Sequence, residues 1–388
     1  MNQAFQLTSN EFNEAREIAY RLAIRRGGGF LPPYDPEMAK QDFCLAVERV
    51  RLLREYRCQI TSNTSVRINS KEFFEVTHTV TRRLGEISNS VWANLVALWH
   101  LREEVQCFFV HQPQVTEQEI NDKFGRESGV KSADLRTTCI AWTWEQVQAN
   151  IGRMFLFELC SMFEGWLEEV VHIAMAGGQH KKQTIKDVIK GLQFPTVLGT
   201  ANGFQPNLAI ATMYKSSFMK TEMSPPLRSH RKNSWAMMED LLSAYRYFKE
   251  CRNALIHQNG NASQKVIDEY NVVSQIPFRQ LGLSVNLELP QPTLNSHVSI
   301  SLRDIVALSG MIHRITITLD AALSEAEGCE IDMINRIKTF MQRHKNKTIP
   351  SGATKRLKAI EAVLRGAGLP IPSNLVALEV LMVSNGIL

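Results

Sequence analysis

The apolar stretch over residues 151–174 constrains the fold of this chain more than any other feature. Its large apolar side chains recur at helical intervals: Phe155, Leu159, Met162, Trp166, Val170 and Ile173. A helix with so many apolar positions has to be buried against other elements. Helical spacing also returns over residues 70–110. The sequence therefore predicts a mainly α protein, built as a helical bundle around a long buried helix.

Downstream of this stretch, the spacing of apolar residues changes from a helical period to an alternation of apolar and polar residues. A helix is predicted over residues 234–260, and residues 283–289 and 298–302 then alternate like two short strands separated by Pro290 and Pro292. Ser301 and Asp304 have capping-box spacing and predict the start of a further helix, to about residue 326. We expect a short β-hairpin after the 234–260 helix.

At 388 residues, the chain is two or three times the length of a typical domain. The polar run over residues 112–136 is typical of a linker. We therefore expect an N-terminal helical region of unknown role over residues 1–135, a central domain over 136–327 and a basic, helical C-terminal module over 328–388.

Composition excludes several classes of protein. The seven cysteines are widely spread and include no Cys-x2-Cys pair, which favours a reducing compartment and argues against a zinc site. The first residues lack the order of a secretory signal, and no window of about 18 residues is apolar enough to suggest a membrane span. We expect a cytoplasmic protein with no membrane association. The formal charge of +5 is too small to demand or exclude a nucleic-acid partner.

Motifs for common cofactors and nucleophiles are missing from the sequence. It contains no Gly-x4-Gly-Lys phosphate loop, no His-Glu-x2-His zinc motif and no nucleophilic serine elbow. We expect no cofactor and no catalytic metal.

One short motif carries chemistry. Arg252, Asn253 and His257 form an Arg-Asn-x3-His pattern at the end of the predicted 234–260 helix. An arginine followed by a histidine at this spacing is weak by itself, because ten histidines in 388 residues produce such pairs by chance. The context makes the pattern a stronger indication of function, since it ends an amphipathic helix and Gly260 follows shortly after it.

With this motif, residues 140–326 resemble the HEPN superfamily, whose helical domains carry Arg-x4-6-His, often as Arg-Asn-x3-His. Active members are metal-independent ribonucleases, and many act in toxin–antitoxin pairs or anti-phage defence. The resemblance implies RNA as substrate, a homodimer with a composite site and an antitoxin or defence-system partner. It also implies an acidic residue on the preceding helix. Glu158, Glu164 and Glu168 are the candidates, and we rank Glu164 first because it borders the apolar stripe.

The motif has the chemistry that RNA cleavage without a metal requires. A histidine such as His257 can accept the 2′-hydroxyl proton or protonate the leaving oxygen. The guanidinium of Arg252 matches a phosphate and stays charged, while Asn253 could orient either group. Asn253 and His257 share a helix face, but Arg252 lies about 140° from His257 around a regular helix. A site built by two copies of the motif across a two-fold axis satisfies this geometry best.

A structural interpretation of the same residues stays open. Arg252 would then pair with a carboxylate such as Glu158 or Glu164, and His257 would complement the helix dipole before the chain turns. Two functional hypotheses follow. The first is an endoribonuclease of a bacterial toxin or defence system, and the second is a non-catalytic helical module that binds RNA or a protein and dimerises through the motif helix.

Two basic clusters are candidates for binding the RNA backbone by counterion release. The residues are Arg228, Arg231 and Lys232 before the motif helix, and Arg343, Lys345, Lys347, Lys355 and Arg356 in the C-terminal module. The alternative for each cluster is a solvated surface without a partner. If the C-terminal cluster binds RNA, removing residues 328–388 should weaken binding and leave the fold of the body intact.

Overall fold

The computed structural model describes residues 71–388, except 126–129, 131–132, 179–181, 196–204, 284–286 and 345–348. Most of the predicted N-terminal region therefore lies outside the described residues. Contacts within the chain set residues 69–388 apart as one compact unit. The described part is mainly helical, as predicted.

The helices are numbered here in chain order. They are α1 (Glu75–His111), α2 (Glu117–Gly125), α3 (Trp144–Ala174), α4 (Lys182–Gln193), α5 (Gln205–Ala211), α6 (Ser224–Arg228), α7 (Met238–His257), α8 (Gln264–Val273), α9 (Leu302–Leu323), α10 (Glu327–Arg343), α11 (Ala353–Gly366) and α12 (Leu375–Ser384). Short π-helical turns at Thr137–Ala141 and Met219–Met223 join some of them.

Helix α9 lies at the centre of the bundle and packs against α1, α3, α6 and α7. It begins where the capping box predicts, with the Ser301 hydroxyl accepting from the Asp304 N–H and the Asp304 carboxylate accepting from the Ser301 N–H. Contrary to the sequence expectation, α9 is long and apolar enough to cross a membrane, with a mean hydropathy of 1.3. Most of that window, 72%, is buried inside the bundle, so its apolar side chains build the core.

Helix α3 is the long buried helix that the sequence predicts, and it ends at Ala174 as expected. It begins seven residues earlier than predicted, because Thr143 and Gln146 cap it reciprocally. Trp166 on α3 donates through Nε1 to Thr77 on α1 at 2.8 Å. The indole therefore joins the two helices deep in the core.

The start of α1 is attached to α9 by a buried carboxylate. Asp320 is fully buried and accepts hydrogen bonds from the backbone N–H groups of Phe73 and Phe74 at 2.8 and 3.1 Å. Burial raises the pKa of Asp320 to about 6, although these two donors and Thr77 act in the opposite direction. This contact crosses the predicted boundary at residue 135, so α1 packs with the central helices.

The apolar stripe of α7 faces the interior of its own chain. Met238, Leu241, Tyr245 and Phe248 are all buried in the main core. The stripe therefore offers no surface to a second copy, and any dimer contact of α7 must use its last turn or its polar face.

The predicted β-hairpin is not confirmed. Among the described residues of the two alternating stretches no strand forms, and residues 284–286 lie outside the described part. Pro290 and Pro292 lack the N–H groups that a ladder needs. The segment after them pairs instead with the loop that follows α7, through an isolated antiparallel bridge between Asn261 and His297.

The C-terminal helices belong to the same core as the rest of the bundle. Cys329, Met333 and Ile337 on α10 are buried in it, and α10 packs against α3. Arg336 donates to the Phe73 carbonyl at 2.9 Å and to the Gly368 carbonyl at 2.6 Å. The expectation that residues 328–388 could be removed without harm to the body is therefore wrong, because their removal would open the core.

Candidate functional site

The motif lies where α7 ends. The last turn closes with the N–H groups of Gln258 and Gly260 both donating to the Ala254 carbonyl, at 2.9 and 3.1 Å. Gly260 has a φ of 80°, in the left-handed region that glycine adopts without strain. His257 is thus the last helical residue, three residues before the predicted end of the helix, while Arg252 lies more than one turn earlier.

Arg252 is held by the acidic residue that the sequence ranks first. Its Nη2 lies 3.3 Å from Glu164 on α3, and its Nη1 donates to Asn253 Oδ1 at 3.1 Å. Lys249, one turn earlier on α7, lies 2.9 Å from the other Glu164 oxygen. Glu158 instead pairs with Arg83 of α1 at 2.8 Å. The structure therefore brings Arg252, Asn253 and Glu164 together.

The Arg252–Glu164 pair is only partly exposed, with 20% and 26% of the two side chains accessible. Arg252 Nε is buried and makes no hydrogen bond to any described residue, which leaves one donor of the guanidinium unused. Burial raises the pKa of the neighbouring Cys160 to about 12, and the charge of Glu164 adds to this effect. Cys160 is therefore a neutral thiol and not a nucleophile.

A polar face of α7 continues this network toward α8. Arg246 lies 2.8 Å from Glu269 on α8 and 3.3 Å from Glu250, and Asn253 donates to Glu250 at 3.4 Å. The guanidinium of Arg246 also covers the ring of Phe194, and its central carbon lies 4.2 Å from the ring centroid. Arg246, Glu250, Asn253 and His257 follow each other at intervals of 4, 3 and 4 residues, so they share one side of the helix.

His257 stands apart from this network. It is exposed, and it makes no hydrogen bond or ion pair with any residue that the structure describes. Ile256 beside it is 48% exposed, an apolar side chain on the last turn of the helix. Within one chain, Arg252 faces α3 and His257 faces solvent, so a single copy does not bring the guanidinium and the imidazole together.

Sequence reasoning missed His297, which lies beside the end of the motif helix, and Arg153, which lines a cavity together with Leu255 of the motif. The His297 ring lies so close to Gly260 that a Cβ on that residue would overlap it. The contact follows from pairing of the 295–298 segment with the loop after α7, where the Val298 N–H donates to the Gly260 carbonyl at 2.8 Å. No spacing in the sequence reveals this pairing, because the two segments lie about 40 residues apart.

The predicted RNA-binding residues differ in their surroundings. Arg228 binds the buried carboxylate of Glu325, and Arg356 pairs with Glu379 at 2.7 Å, so both charges are neutralised within the chain. Burial alone would raise the pKa of Glu325, but hydrogen bonds and charges from Lys215 and Arg228 hold it below its usual value.

Three of the other basic candidates keep their charge available. Arg231, Arg343 and Lys355 are exposed and have no carboxylate partner among the described residues. Lys232 is half-buried, and burial followed by the charges of Arg314 and Arg231 lowers its pKa. Lys345 and Lys347 lie outside the described residues.

In the part of the chain that the structure describes, no group of three or more His, Cys, Asp or Glu side chains is arranged to hold a metal ion. The five cysteines described there are free thiols, of which only Cys107 is exposed.

Comparisons with known proteins return no match, whether against family models, curated proteins or solved structures. The resemblance to the HEPN superfamily therefore depends on the motif and its place on α7.

Proposed function

We propose that this protein is a metal-independent endoribonuclease of the HEPN type, acting in the cytoplasm as a bacterial toxin or an anti-phage defence effector. The observation that carries the proposal is the joining of Arg252, Asn253 and Glu164 at the end of α7, two turns or less from an exposed His257. The homodimer, the RNA substrate and an antitoxin or defence-system partner are parts of the same proposal.

In this mechanism, Arg252 binds the scissile phosphate and stabilises the negative charge that develops on its oxygens. Glu164 and Asn253 orient the guanidinium. The 2′-oxygen attacks phosphorus and gives up its proton, while the bond to the 5′-oxygen breaks and that oxygen takes a proton. His257 serves as the acid or the base. The products carry a 2′,3′-cyclic phosphate and a 5′-hydroxyl.

The geometry of α7 supports a site shared between two copies. Arg252 faces α3 while His257 faces solvent, and the exposed Ile256 provides an apolar contact for a second copy beside the imidazole. In a two-fold dimer, each contact made by the last turn of α7 is made twice. Arg252 of one copy and His257 of the other would then act on the same phosphate.

One observation favours the second hypothesis, a non-catalytic module that binds RNA or a protein. The charge of Arg252 is already compensated by Glu164, and His257 makes no hydrogen bond to the other motif residues within one chain. Under this hypothesis the motif residues stabilise the end of α7, and purified protein leaves RNA intact.

Cleavage of total RNA in EDTA separates the two hypotheses. The wild type should degrade RNA to fragments with 2′,3′-cyclic or 3′-phosphate ends, and Arg252→Ala and His257→Ala should abolish this. Neither substitution should change the free energy of unfolding by more than about 1–2 kcal/mol, because neither empties an apolar core.

Two matched controls lie on neighbouring helices. Arg83→Ala removes an arginine of α1 that pairs with Glu158 of α3. His172→Ala removes an exposed histidine of α3 itself. Both should keep full activity. Fragments with 3′-hydroxyl ends would rule out attack by the 2′-oxygen, and intact RNA with and without cellular activators would favour the binding module.

A further inference from the structure

A cavity of about 350 Å³ opens beside the end of α7. Its wall includes Trp142, Gln146, Asn150, Arg153, Leu255 and His297. This volume falls within the range of about 300–1,000 Å³ that is typical of ligand pockets. The apolar groove between α1, α3 and α9 is only about 180 Å³ and falls below that range.

The charge of the lining favours an anion. Arg153 is the one permanently charged side chain in the wall, and the wall contains no Asp or Glu. Arg153 is half-buried and hydrogen-bonds to Asn150, and none of the described carboxylates pairs with it. By contrast, Arg246 and Arg252 nearby are both paired with glutamates. A guanidinium left without a counter-ion at a cavity wall is suited to a phosphate.

The rest of the lining suits a nucleobase. Trp142 is 37% exposed at the rim, with its backbone held by a hydrogen bond from its N–H to the Thr137 carbonyl at 2.9 Å. A partly exposed indole offers a face on which a base can stack. The side-chain amides of Gln146 and Asn150 line the same wall and can donate to or accept from a base edge.

The cavity also adjoins the proposed active site. Leu255, inside the motif, forms part of its wall. His297 lines it as well, and its ring lies against Gly260, three residues after His257. A strand of RNA with its scissile phosphate at the end of α7 can therefore place a neighbouring nucleotide in this cavity.

We propose that the cavity is a subsite for one unstacked nucleotide of single-stranded RNA, and this inference rests on the proposed ribonuclease function. Arg153 binds the phosphate, Trp142 stacks on the base, and Gln146 and Asn150 contact the base edge. A base within a duplex is already stacked and paired, so the subsite selects single strands, loops or ends.

The test is fluorescence anisotropy with a labelled ten-nucleotide 2′-O-methyl oligouridylate in EDTA, a probe that cannot be cleaved because its 2′-oxygens are blocked. Trp142→Ala and Arg153→Gln should each weaken its affinity about ten-fold, the scale of one lost stacking or phosphate contact. Trp142→Phe and Arg153→Lys should keep most of the affinity. Thermal melts establish that each variant is folded.

Trp92→Ala and Arg83→Gln are the matched controls, since both residues are exposed on α1 away from the cavity. They should bind like the wild type. Uridine monophosphate should compete with the probe far better than inorganic phosphate. Equal competition by the two would reduce the site to a simple anion site and overturn the proposal.

The two proposals fail in different ways. If the wild type cleaves RNA but Trp142→Ala and Arg153→Gln bind the probe normally, the subsite is wrong and the ribonuclease stands. If both variants lose affinity but no protein cleaves RNA, the subsite stands as an RNA-binding site and the ribonuclease is wrong.

Discussion

At the scale of single residues, the acidic partner of Arg252 bears on both interpretations of the motif. Glu164 lies on the face of α3 that meets α7, whereas Glu158, less than two turns earlier, pairs with α1. The sequence named both residues and ranked Glu164 first for its position beside the apolar stripe, and Glu164 is the one of the two that contacts Arg252. One partner serves both interpretations, because a pair that stabilises the fold also orients a catalytic guanidinium.

Substituting these two glutamates separates the interpretations. Glu164→Gln should lower the rate of RNA cleavage about ten-fold or more, since Arg252 loses the charge that orients it. Glu158→Gln removes an equivalent charge from the same helix and should leave the rate unchanged. Initial rates on a labelled RNA give the comparison. Equal rates for both variants and the wild type would show that the Arg252–Glu164 pair has no part in cleavage.

Asp320 gives a pH dependence of stability. Its pKa, about 6 in the folded protein, lies above its ordinary value of 3.8, so the folded state favours the neutral carboxyl. The stabilisation from this group is therefore fully present below about pH 4 and is lost as the pH rises through about 6.

Asp320→Asn should remove this dependence. At pH 4 the variant should be less stable than the wild type by about 1–3 kcal/mol, because one of the buried N–H groups of Phe73 and Phe74 loses its acceptor. The difference should shrink between pH 4 and 7, as the wild type alone loses stability from this group. Urea unfolding at several pH values measures it, and a constant difference would contradict the assigned pKa.

At the scale of elements, the helices with the clearest signals were predictable. The period of apolar residues located α3, and the capping box at Ser301 and Asp304 located the start of α9. Both signals are local, so a sequence carries them in full. The predicted hairpin depended on a choice of partner, and the segment around His297 pairs with the loop after α7 instead. Tertiary packing makes that choice, and the alternation of apolar and polar residues does not by itself encode it.

The apolar stripe of α7 shows the same limit. The sequence correctly indicated that this helix is amphipathic. It could not distinguish a side buried in the core from a dimer surface, and the stripe lies in the core. The cavity residues Trp142, Arg153 and His297 were missed for a related reason, since each belongs to a different segment and only the fold joins them.

Two substitutions on α7 therefore have different consequences. Phe248→Asp puts a charge into the core and should unfold the chain or cost more than about 4 kcal/mol. Ile256→Asp, on the exposed last turn, should leave the fold intact and weaken the proposed dimer. Circular dichroism melts and sedimentation masses distinguish the two. A folded Phe248→Asp protein, or an Ile256→Asp protein that keeps the dimer mass, would contradict this division.

At the scale of the whole molecule, the C-terminal helices are part of the body. The sequence marked residues 328–388 as a separate basic, helical module, but the buried face of α10 joins the main core. A truncation would therefore test stability rather than RNA binding. Point substitutions are the appropriate test of the basic surface.

Arg343 and Lys355 are suited to this test because both are exposed and have no carboxylate partner among the described residues. The double variant Arg343→Glu, Lys355→Glu should weaken RNA binding and flatten its dependence on salt, since fewer counterions are released. Arg303→Glu changes the charge of an exposed arginine on α9 and serves as the control. If the double variant binds RNA as tightly as the wild type at both low and high salt, the basic surface is only solvated and does not bind RNA.

The central claim is that two chains build one site, with Arg252 from one copy and His257 from the other. Its most direct measurement is the RNA cleavage activity of Arg252→Ala and His257→Ala chains co-expressed with different tags, beside each variant alone. Each variant alone should be inactive. In a random mixture, half of the dimers contain one of each chain, and each of these has one intact site out of two, so about one quarter of the wild-type activity should return. A mixture as inactive as its components, beside an active wild type, would contradict the shared site.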